Sequence, residues 1–209
     1  MKKIKQIMCL CLCFLVAINL VVPQDVQAKT TLKKKVTVSY KKTPTGILAV
    51  YKNKNKKAVR VKATMCYKDG GKKNISKETQ ENLCLGVKAT ATFFFPAPRD
   101  ENGDCINYAS YTGSYSVSKS KYKNYASKIK VSHQLDPAEA KFVAVNTGNK
   151  GLSHIHATLV FYNGNRDITR CFTKELNCFH ANDIQQFSIQ YPDDMRDPSN
   201  VKVYVDWAY

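Results

Sequence analysis

The feature that most constrains the fold of this 209-residue chain is an internal repeat. Ala63 and Ala157 are 94 residues apart, and Cys84 and Cys178 have the same separation (157 − 63 and 178 − 84). In both copies an apolar segment is followed by an alternating segment, a turn with glycine, and a segment that ends in proline. Repetition at one spacing predicts two units of the same architecture.

Each copy contains segments in which apolar and polar side chains alternate. In 59–67 and 155–161 every second residue is apolar, as expected for strands of an antiparallel sheet with one face in water. The polar positions beside them carry Arg60, Lys62, Thr64, His154, His156 and Thr158. Glycine-containing turns follow both segments and favour hairpins.

Short strands separated by turns at regular spacing are typical of a β-sandwich. The sequence therefore predicts an all-β chain with two tandem immunoglobulin-like antiparallel β-sandwiches. We place the domains at 33–118 and 128–209 and a linker at 119–127. The linker lacks proline and glycine, so it can continue a strand rather than move freely.

A short motif gives the layout a family resemblance. The second copy reads Leu159-Val160-Phe161-Tyr162-Asn163, and the first reads Met65-Cys66-Tyr67-Lys68-Asp69. Both are similar to the Phe-x-Leu-Tyr-Asp sequence of FxLYD-type modules, which are immunoglobulin-like or transthyretin-like modules of secreted Gram-positive bacterial proteins. The second copy changes the Phe, Leu and Asp of the motif, and the first has Lys68 in place of its Tyr. The resemblance implies a β-sandwich on or outside the cell surface, with no catalytic residues to carry over.

The N-terminus predicts export. Lys2, Lys3 and Lys5 precede an apolar segment, 7–22, and small residues before Lys29 fit a signal peptidase site. This order of basic, apolar and small-residue regions is that of a secretory signal peptide, here 1–28. The apolar segment is shorter than the roughly 20 residues of a spanning helix. We expect a secreted or surface-associated protein, with no transmembrane segment after cleavage.

Charge is distributed unevenly along the chain. Residues 29–130 contain 23 basic and 6 acidic residues, whereas 131–209 contain 7 and 9. A basic excess confined to one half points to an anionic partner such as a cell-wall or extracellular polymer, and nucleic acid is not expected outside a cell. If the strands near 36, 47 and 59 share a sheet, the lysines line its edge and outer face. The candidate residues are Lys52, Lys54, Lys56, Lys57, Arg60 and Lys62. Solubility, and protection of strand edges by lysine, are the alternatives.

Exposed aromatic side chains offer a second binding hypothesis, a carbohydrate- or protein-binding module. Phe94 alternates onto the polar side of its segment, so it is exposed or buried between the domains. Tyr111 and Tyr115 belong to a tyrosine-rich stretch at the end of the first domain. Tyrosine rings stack on sugars with little loss of entropy. Pairing between aromatic residues on adjacent strands is the structural alternative.

Histidine spacing offers a third hypothesis, a metal-binding protein. His154 and His156 are two residues apart on a predicted strand and therefore share a face. Two imidazoles on one face can hold zinc or copper if a third ligand is near. The equivalent positions in the first copy are Arg60 and Lys62, which favours solvated cations instead. No cofactor is predicted.

Cysteine and catalytic motifs complete the prediction. Export permits disulfides, and Cys171 and Cys178 are close enough in sequence to bridge one hairpin. The five cysteines after residue 28 are an odd number, so at least one thiol has no intramolecular partner. The chain has no Gly-x-Ser-x-Gly sequence, phosphate-binding loop or zinc-protease motif, so we predict that it is not an enzyme.

Overall fold

The computed structural model describes residues 31–164, 167–193, 195 and 198–209. The predicted signal peptide lies outside these residues. The described chain is all-β, with a short helix at 31–34 and one 3₁₀ turn, Ala126–Lys128. The strands are β1 Val36–Thr43, β2 Gly46–Asn53, β3 Val59–Lys68, β4 Asn74–Leu85, β5 Thr90–Pro96, β6 Ser110–Lys119, β7 Ile129–Leu135, β8 Glu139–Asn146, β9 Leu152–Asn163, β10 Asp167–Phe179, β11 Ile184–Gln190 and β12 Asn200–Ala208.

These strands form four three-stranded antiparallel sheets among the described residues. Their strand orders are β1-β2-β5, β4-β3-β6, β11-β8-β7 and β10-β9-β12. The first two sheets enclose one apolar interior and the last two enclose another. All-β sandwich architecture, predicted from the alternating segments, is confirmed.

Alternation explains which face of each sheet points inward. On β3 the residues Val59, Val61, Ala63 and Met65 are fully buried, whereas Arg60 between them is exposed. They meet aromatic side chains from β2 and β5 in the opposite sheet. In the second sandwich the matching strand β9 contributes its own apolar side to the interior. Removal of this apolar surface from water is the main force that closes each sandwich.

A buried asparagine holds the chain at the same crossover in both sandwiches. The Asn53 amide donates to the carbonyl oxygens of Lys57, Leu85 and Gly86, at 3.0, 3.1 and 2.9 Å. Asn53 is the last residue of β2, where the chain leaves one sheet for the other. Its side chain thereby satisfies backbone groups that no strand partner reaches.

The second sandwich repeats this network with Asn146, the last residue of β8. Its amide donates to the carbonyl oxygens of Lys150, Phe179 and His180, at 2.8, 3.3 and 2.9 Å. Both asparagines are 0% exposed. The shared network supports duplication independently of the residues from which the repeat was recognised.

The two sandwiches pack face to face, so the four sheets form a stack. The outer face of β1-β2-β5 meets the outer face of β10-β9-β12, and β9 is therefore buried on both sides over most of its length. The apolar part of this contact consists of Leu48, Phe94, Val160, Tyr162, Ile168 and Cys171.

The segment between the sandwiches is fixed to both of them. Tyr122 stacks on Tyr209 with ring centroids 4.2 Å apart. The Asn124 amide donates to the Cys84 carbonyl in the first sandwich at 2.6 Å, and the Tyr125 N–H donates to the Ala208 carbonyl in the second at 2.8 Å. Among the described residues, no helix is long and apolar enough to cross a bilayer.

Candidate functional site

The strand directions bring several lysine-bearing segments to one end of the first sandwich. β1, β3 and β5 begin at this end, and β2, β4 and β6 finish there, as the pairing of Val59 with Leu85 and Lys119 shows. The connecting segments 31–35, 54–58, 86–89 and 119–121 consequently lie together. We call this the basic end. Its lysines are all exposed: Lys33, Lys34, Lys35, Lys54, Lys56, Lys57, Lys88, Lys119 and Lys121.

Hydrogen bonds hold the segments of the basic end in place. The Lys54 N–H donates to the Lys35 carbonyl at 2.8 Å, and the Asn55 amide donates to the Leu32 carbonyl at 3.1 Å. Asn53 adds its bonds to Lys57 and Gly86. The lysine side chains are exposed, with Lys33 lying over the Tyr115 ring, and their backbone attachment points are ordered.

Four of the six carboxylates of the first sandwich lie in the connections at its other end. The connections 69–73 and 97–109 carry Asp69, Asp100, Glu101 and Asp104 together with Lys72, Lys73 and Arg99. The segments of the basic end contain no Asp or Glu. β6 is 10 residues long, so about 30 Å separates the ends, well beyond the screening length of about 8 Å at physiological salt. The basic end therefore presents an uncompensated positive field.

The six predicted polyanion residues are divided among three places. Lys54, Lys56 and Lys57 belong to the basic end, and Lys52 is exposed on the outer face of β2. The condition attached to this prediction, that the strands near 36, 47 and 59 share a sheet, is not met, because 54–58 crosses the sandwich and β3 joins the opposite sheet. Arg60 and Lys62 consequently lie on the far outer face.

Arg60 is also neutralised locally. Its Nε and a terminal nitrogen donate to the two carboxylate oxygens of Glu81 at 2.5 and 2.7 Å.

Lys88, Lys119 and Lys121 were missed as members of a site because they are scattered in sequence. The signal that could have found them is that each lies next to a strand terminus at this end.

Tyr111 and Tyr115 do not form the exposed platform predicted from the sequence, and Phe94 takes the second of its two predicted environments, burial between the sandwiches. Phe94 is 7% exposed and lies between the sandwiches. Tyr111 and Tyr115 point toward the first interior, where Tyr115 packs edge-on against Tyr51 and its hydroxyl donates to the Val36 carbonyl at 2.9 Å. Side chains engaged in this way cannot offer their faces to a sugar.

A buried polar cluster lies where the two sandwiches meet. The Asp206 carboxylate, on β12, accepts the Thr92 N–H of β5 at 2.5 Å and lies 3.2 Å from Nδ1 of His156. Thr158 Oγ1 lies 2.7 Å from the same carboxylate and 2.9 Å from the Thr92 carbonyl oxygen. Trp207 stacks on the His156 ring at 5.7 Å between centroids.

The number of hydrogen-bond donors and acceptors in this cluster favours a protonated Asp206 carboxyl. The Thr158 hydroxyl has one hydrogen but two acceptors within reach, so it can donate to only one of them. A protonated carboxyl can donate to Thr158 Oγ1, which then donates to the Thr92 carbonyl. Burial raises the pKa of the Asp206 carboxyl, against opposing contributions from His156, Thr158 and the Thr92 N–H.

The cluster covers the edge of β5 that has no neighbouring strand in its sheet. An edge strand leaves backbone groups without a neighbouring strand, and these must find other partners when buried. Here Asp206 and Thr158 take the N–H and carbonyl of Thr92, and the Gln80 amide donates to the Phe94 carbonyl. These side chains therefore join the two sandwiches.

The predicted His-x-His face is not arranged as a metal centre. His156 is 9% exposed and bonded to Asp206, whereas His154 is exposed and lies 2.7 Å from the Asn177 side-chain oxygen. Within the part of the chain that the structure describes, no group of three potential ligands is positioned to hold an ion. The first-copy equivalents Arg60 and Lys62 are exposed, whereas His156 is buried against Asp206 and Trp207 of β12.

The predicted Cys171–Cys178 disulfide is wrong. Both residues lie on β10 rather than on the two arms of a hairpin. Seven residues of strand span about 23 Å, whereas a disulfide needs Cα atoms within about 7 Å. Cys171 is buried, and burial raises the pKa of its thiol to about 12. The described cysteines are all free thiols.

Comparison with known proteins adds little to the fold. No family model matches the chain. No curated protein matches it either. Among solved structures it is similar to red sea bream transglutaminase, with a TM-score of 0.29 and 10% identity over 82% of this chain and 31% of the other.

Two further similarities are to glycosidases. The Bacteroides uniformis beta-glucuronidase 2 complex gives a TM-score of 0.21 at 10% identity, covering 71% of this chain and 22% of the other. Another B. uniformis beta-glucuronidase gives 0.20 at 10%, covering 70% and 21%. The chain thus spans less than a third of each of these proteins. Such TM-scores transfer no property to it.

Proposed function

We propose that this is an exported, non-enzymatic binding protein that associates with an anionic polymer of the cell envelope or extracellular space. The basic end of the first sandwich makes the contact, and the second sandwich acts as a neutral spacer or protein-binding unit. Assignment of both sandwiches to the FxLYD type belongs to the same proposal and is based on the motif residues of β3 and β9.

The observation that carries the proposal is the basic end itself. Its lysines come from four separate segments, are exposed together, and have no carboxylate among them. Lysine is a flexible point charge without the planar fork of arginine, so it suits repeated, loosely positioned anionic groups. Binding of this type is weakly specific and sensitive to salt.

Retention of the chain from Lys29 to Tyr209 on immobilised teichoic acid, measured across a salt series, tests the proposal. Lys54, Lys56 and Lys57 are changed together to Gln. The matched control changes Lys72, Lys73 and Lys77, which are exposed cations away from the basic end. We expect the first variant to elute at clearly lower salt, with the salt dependence reduced by roughly one ion for each lost contact.

Equal retention of the two variants, or retention of the wild type that does not respond to salt, would contradict the proposal. A neutral polysaccharide column serves as the control for the matrix. The aromatic and metal hypotheses have no supporting geometry in the described residues, so we propose no second function.

A further inference from the structure

One strand of the first sandwich has an edge without cover. β6 pairs with β3 on one side, and among the described strands nothing pairs with its other side. The pairing with β3 runs through all 10 residues without a register shift. From Ser110 to Ser118 this edge carries no charge and no proline. A long, regular, uncharged edge is a template for another strand.

Other edges of the molecule carry features that block such pairing. β4, β10 and β12 contain charged residues, and their pairings include register shifts. β5 is covered by the polar cluster around Asp206. β7 carries Lys130 and His133, and β1 carries Lys41 and Lys42 immediately before its last residue. β11 is uncharged as well, but it has only 7 residues and is followed by Pro192.

We propose that β6 pairs antiparallel with β6 of a second copy of this chain, which joins two β4-β3-β6 sheets into one. This inference is independent of polymer binding. The side-chain pattern of β6 is self-complementary in the register centred on Ser114, which pairs the whole uncharged stretch from Ser110 to Ser118. With Ser114 at the two-fold axis, Ser110 faces Ser118 of the partner subunit and Thr112 faces Ser116 of the partner subunit. These hydroxyl residues all lie on the outer face.

The inner face fits the same register. Gly113 would oppose the partner's Tyr115, while the space that a side chain at Gly113 would need is already filled by the Tyr40 ring of its own chain. Tyr111 would oppose the partner's Val117, an aromatic and β-branched pair of the kind that stabilises sheets. A shift of one residue would place outer-face hydroxyls opposite inner-face side chains, so the pattern disfavours registers that differ by one residue.

The charges at the two ends of the first sandwich favour antiparallel pairing with a second copy of the chain. Antiparallel pairing moves the two basic ends to opposite ends of the joined sheet, about 30 Å apart. Each basic end then lies beside the partner end, where four carboxylates outnumber the cations Lys72, Lys73 and Arg99. Parallel pairing would instead place the two groups of lysines together.

The test is the mass of the chain from Lys29 to Tyr209 by sedimentation velocity over a concentration series. Ser114→Lys places like charges face to face at the two-fold axis. Thr79→Lys is the matched control, because Thr79 and Ser114 flank Thr64 on the same outer face. We expect the wild type and Thr79→Lys to dimerise, and Ser114→Lys to raise the dimer dissociation constant by roughly tenfold or more.

High salt should partly restore dimerisation of Ser114→Lys, because it screens the introduced charges. Ser114→Thr should dimerise like the wild type, and circular dichroism verifies that each variant is folded. A wild type that stays monomeric at its highest soluble concentration overturns the proposal. So does a dimer that Ser114→Lys weakens no more than Thr79→Lys, or one that only Ser188→Lys on β11 disrupts.

Discussion

Strands β3 and β9 occupy the same place in the two sandwiches, but their outer faces have opposite environments. The outer face of β3 lies in solvent, whereas that of β9 is largely covered by the first sandwich. At an offset of 94 the outer residues Arg60, Lys62, Thr64, Cys66 and Lys68 correspond to His154, His156, Thr158, Val160 and Tyr162. The interiors have kept one pattern while the outer faces have diverged.

A second contrast concerns the ends of the sandwiches. Asn53 and Asn146 make the same hydrogen bonds, but the loops around Asn53 carry the basic end, and those around Asn146 carry fewer cations and Asp183. The comparison indicates that a duplicated hydrogen-bond network can be retained while the charge of the surface that it supports changes. The following substitutions use equivalent positions to test it.

The largest effect is expected from the crossover asparagines. Asn53→Ala and Asn146→Ala each leave several buried carbonyls without a donor, and each should lower the free energy of unfolding by roughly 2–5 kcal/mol. Urea denaturation measures this. Only Asn53→Ala should also weaken retention on teichoic acid under folding conditions, because it loosens the basic end. Similar retention of both variants on teichoic acid would contradict the proposed difference between the ends of the two sandwiches.

Thr158 and Thr64 provide the next test. Thr158 is fully buried and bonded to Thr92 and Asp206, whereas Thr64 only shares a hydroxyl contact with Thr79 on an exposed face. Thr158→Val should cost about 1–3 kcal/mol of unfolding free energy. Thr64→Val should change it by no more than about 0.5 kcal/mol. Equal costs for the two substitutions would mean that the outer face of β9 is not covered in solution.

A smaller effect is expected from pH. Because burial raises the folded-state pKa of Asp206, its protonated form stabilises the fold below its ordinary value of 3.8, and this contribution is lost as pH rises through the folded pKa. The wild type should therefore lose stability relative to Asp206→Asn as pH rises above about 4. Urea denaturation at several pH values measures the difference.

Asp136→Asn serves as the control for this pH effect. The hydrogen bond from Lys141 lowers the pKa of the partly exposed Asp136 carboxyl, so its small contribution to stability has the opposite sign and is lost as pH falls. His156 is the titratable partner of Asp206 in the cluster. Parallel pH profiles for the wild type and Asp206→Asn would refute a protonated Asp206.

Thiol labelling of the folded wild-type protein should distinguish Cys84 from Cys178, the cysteines at equivalent positions of the repeat. This test changes no residue and therefore does not alter the stability of the fold. Cys84 is buried and burial raises the pKa of its thiol, whereas the equivalent Cys178 is exposed. Alkylation of the native protein, followed by mass spectrometry, should modify Cys178 and Cys105 rapidly. Cys84 and Cys171 should react only after unfolding. Rapid native labelling of Cys171 would argue against the close contact of the sandwiches.

Much of the fold was predictable because alternation is a local property. The apolar positions of 59–67 and 155–161 indicated strands and their inward faces without any knowledge of their neighbours. The buried asparagines were missed, although Asn53 and Asn146 lie 93 residues apart at the ends of matching strands (146 − 53). An asparagine after a strand usually indicates a turn, and its bonds to carbonyls far along the chain have no local signature.

The candidate site was less predictable because it depends on strand directions. Lys54, Lys56 and Lys57 stood out as a run, but Lys88, Lys119 and Lys121 join them only after the sheets assemble. The choice between exposure and burial for Phe94 was also not predictable from the sequence around it. Its alternation places it on an outer face, and only the second sandwich decides that this face is buried.

By itself the sequence determined the repeat, the all-β class, the inward faces and the basic first half, since each follows from residue type and spacing along one strand. The tertiary structure decided which outer faces are covered, where the lysines gather, and that Cys171 and Cys178 cannot pair. The physical reason is that burial of an outer face and the field at a sandwich end depend on residues distant in sequence, which only packing brings together.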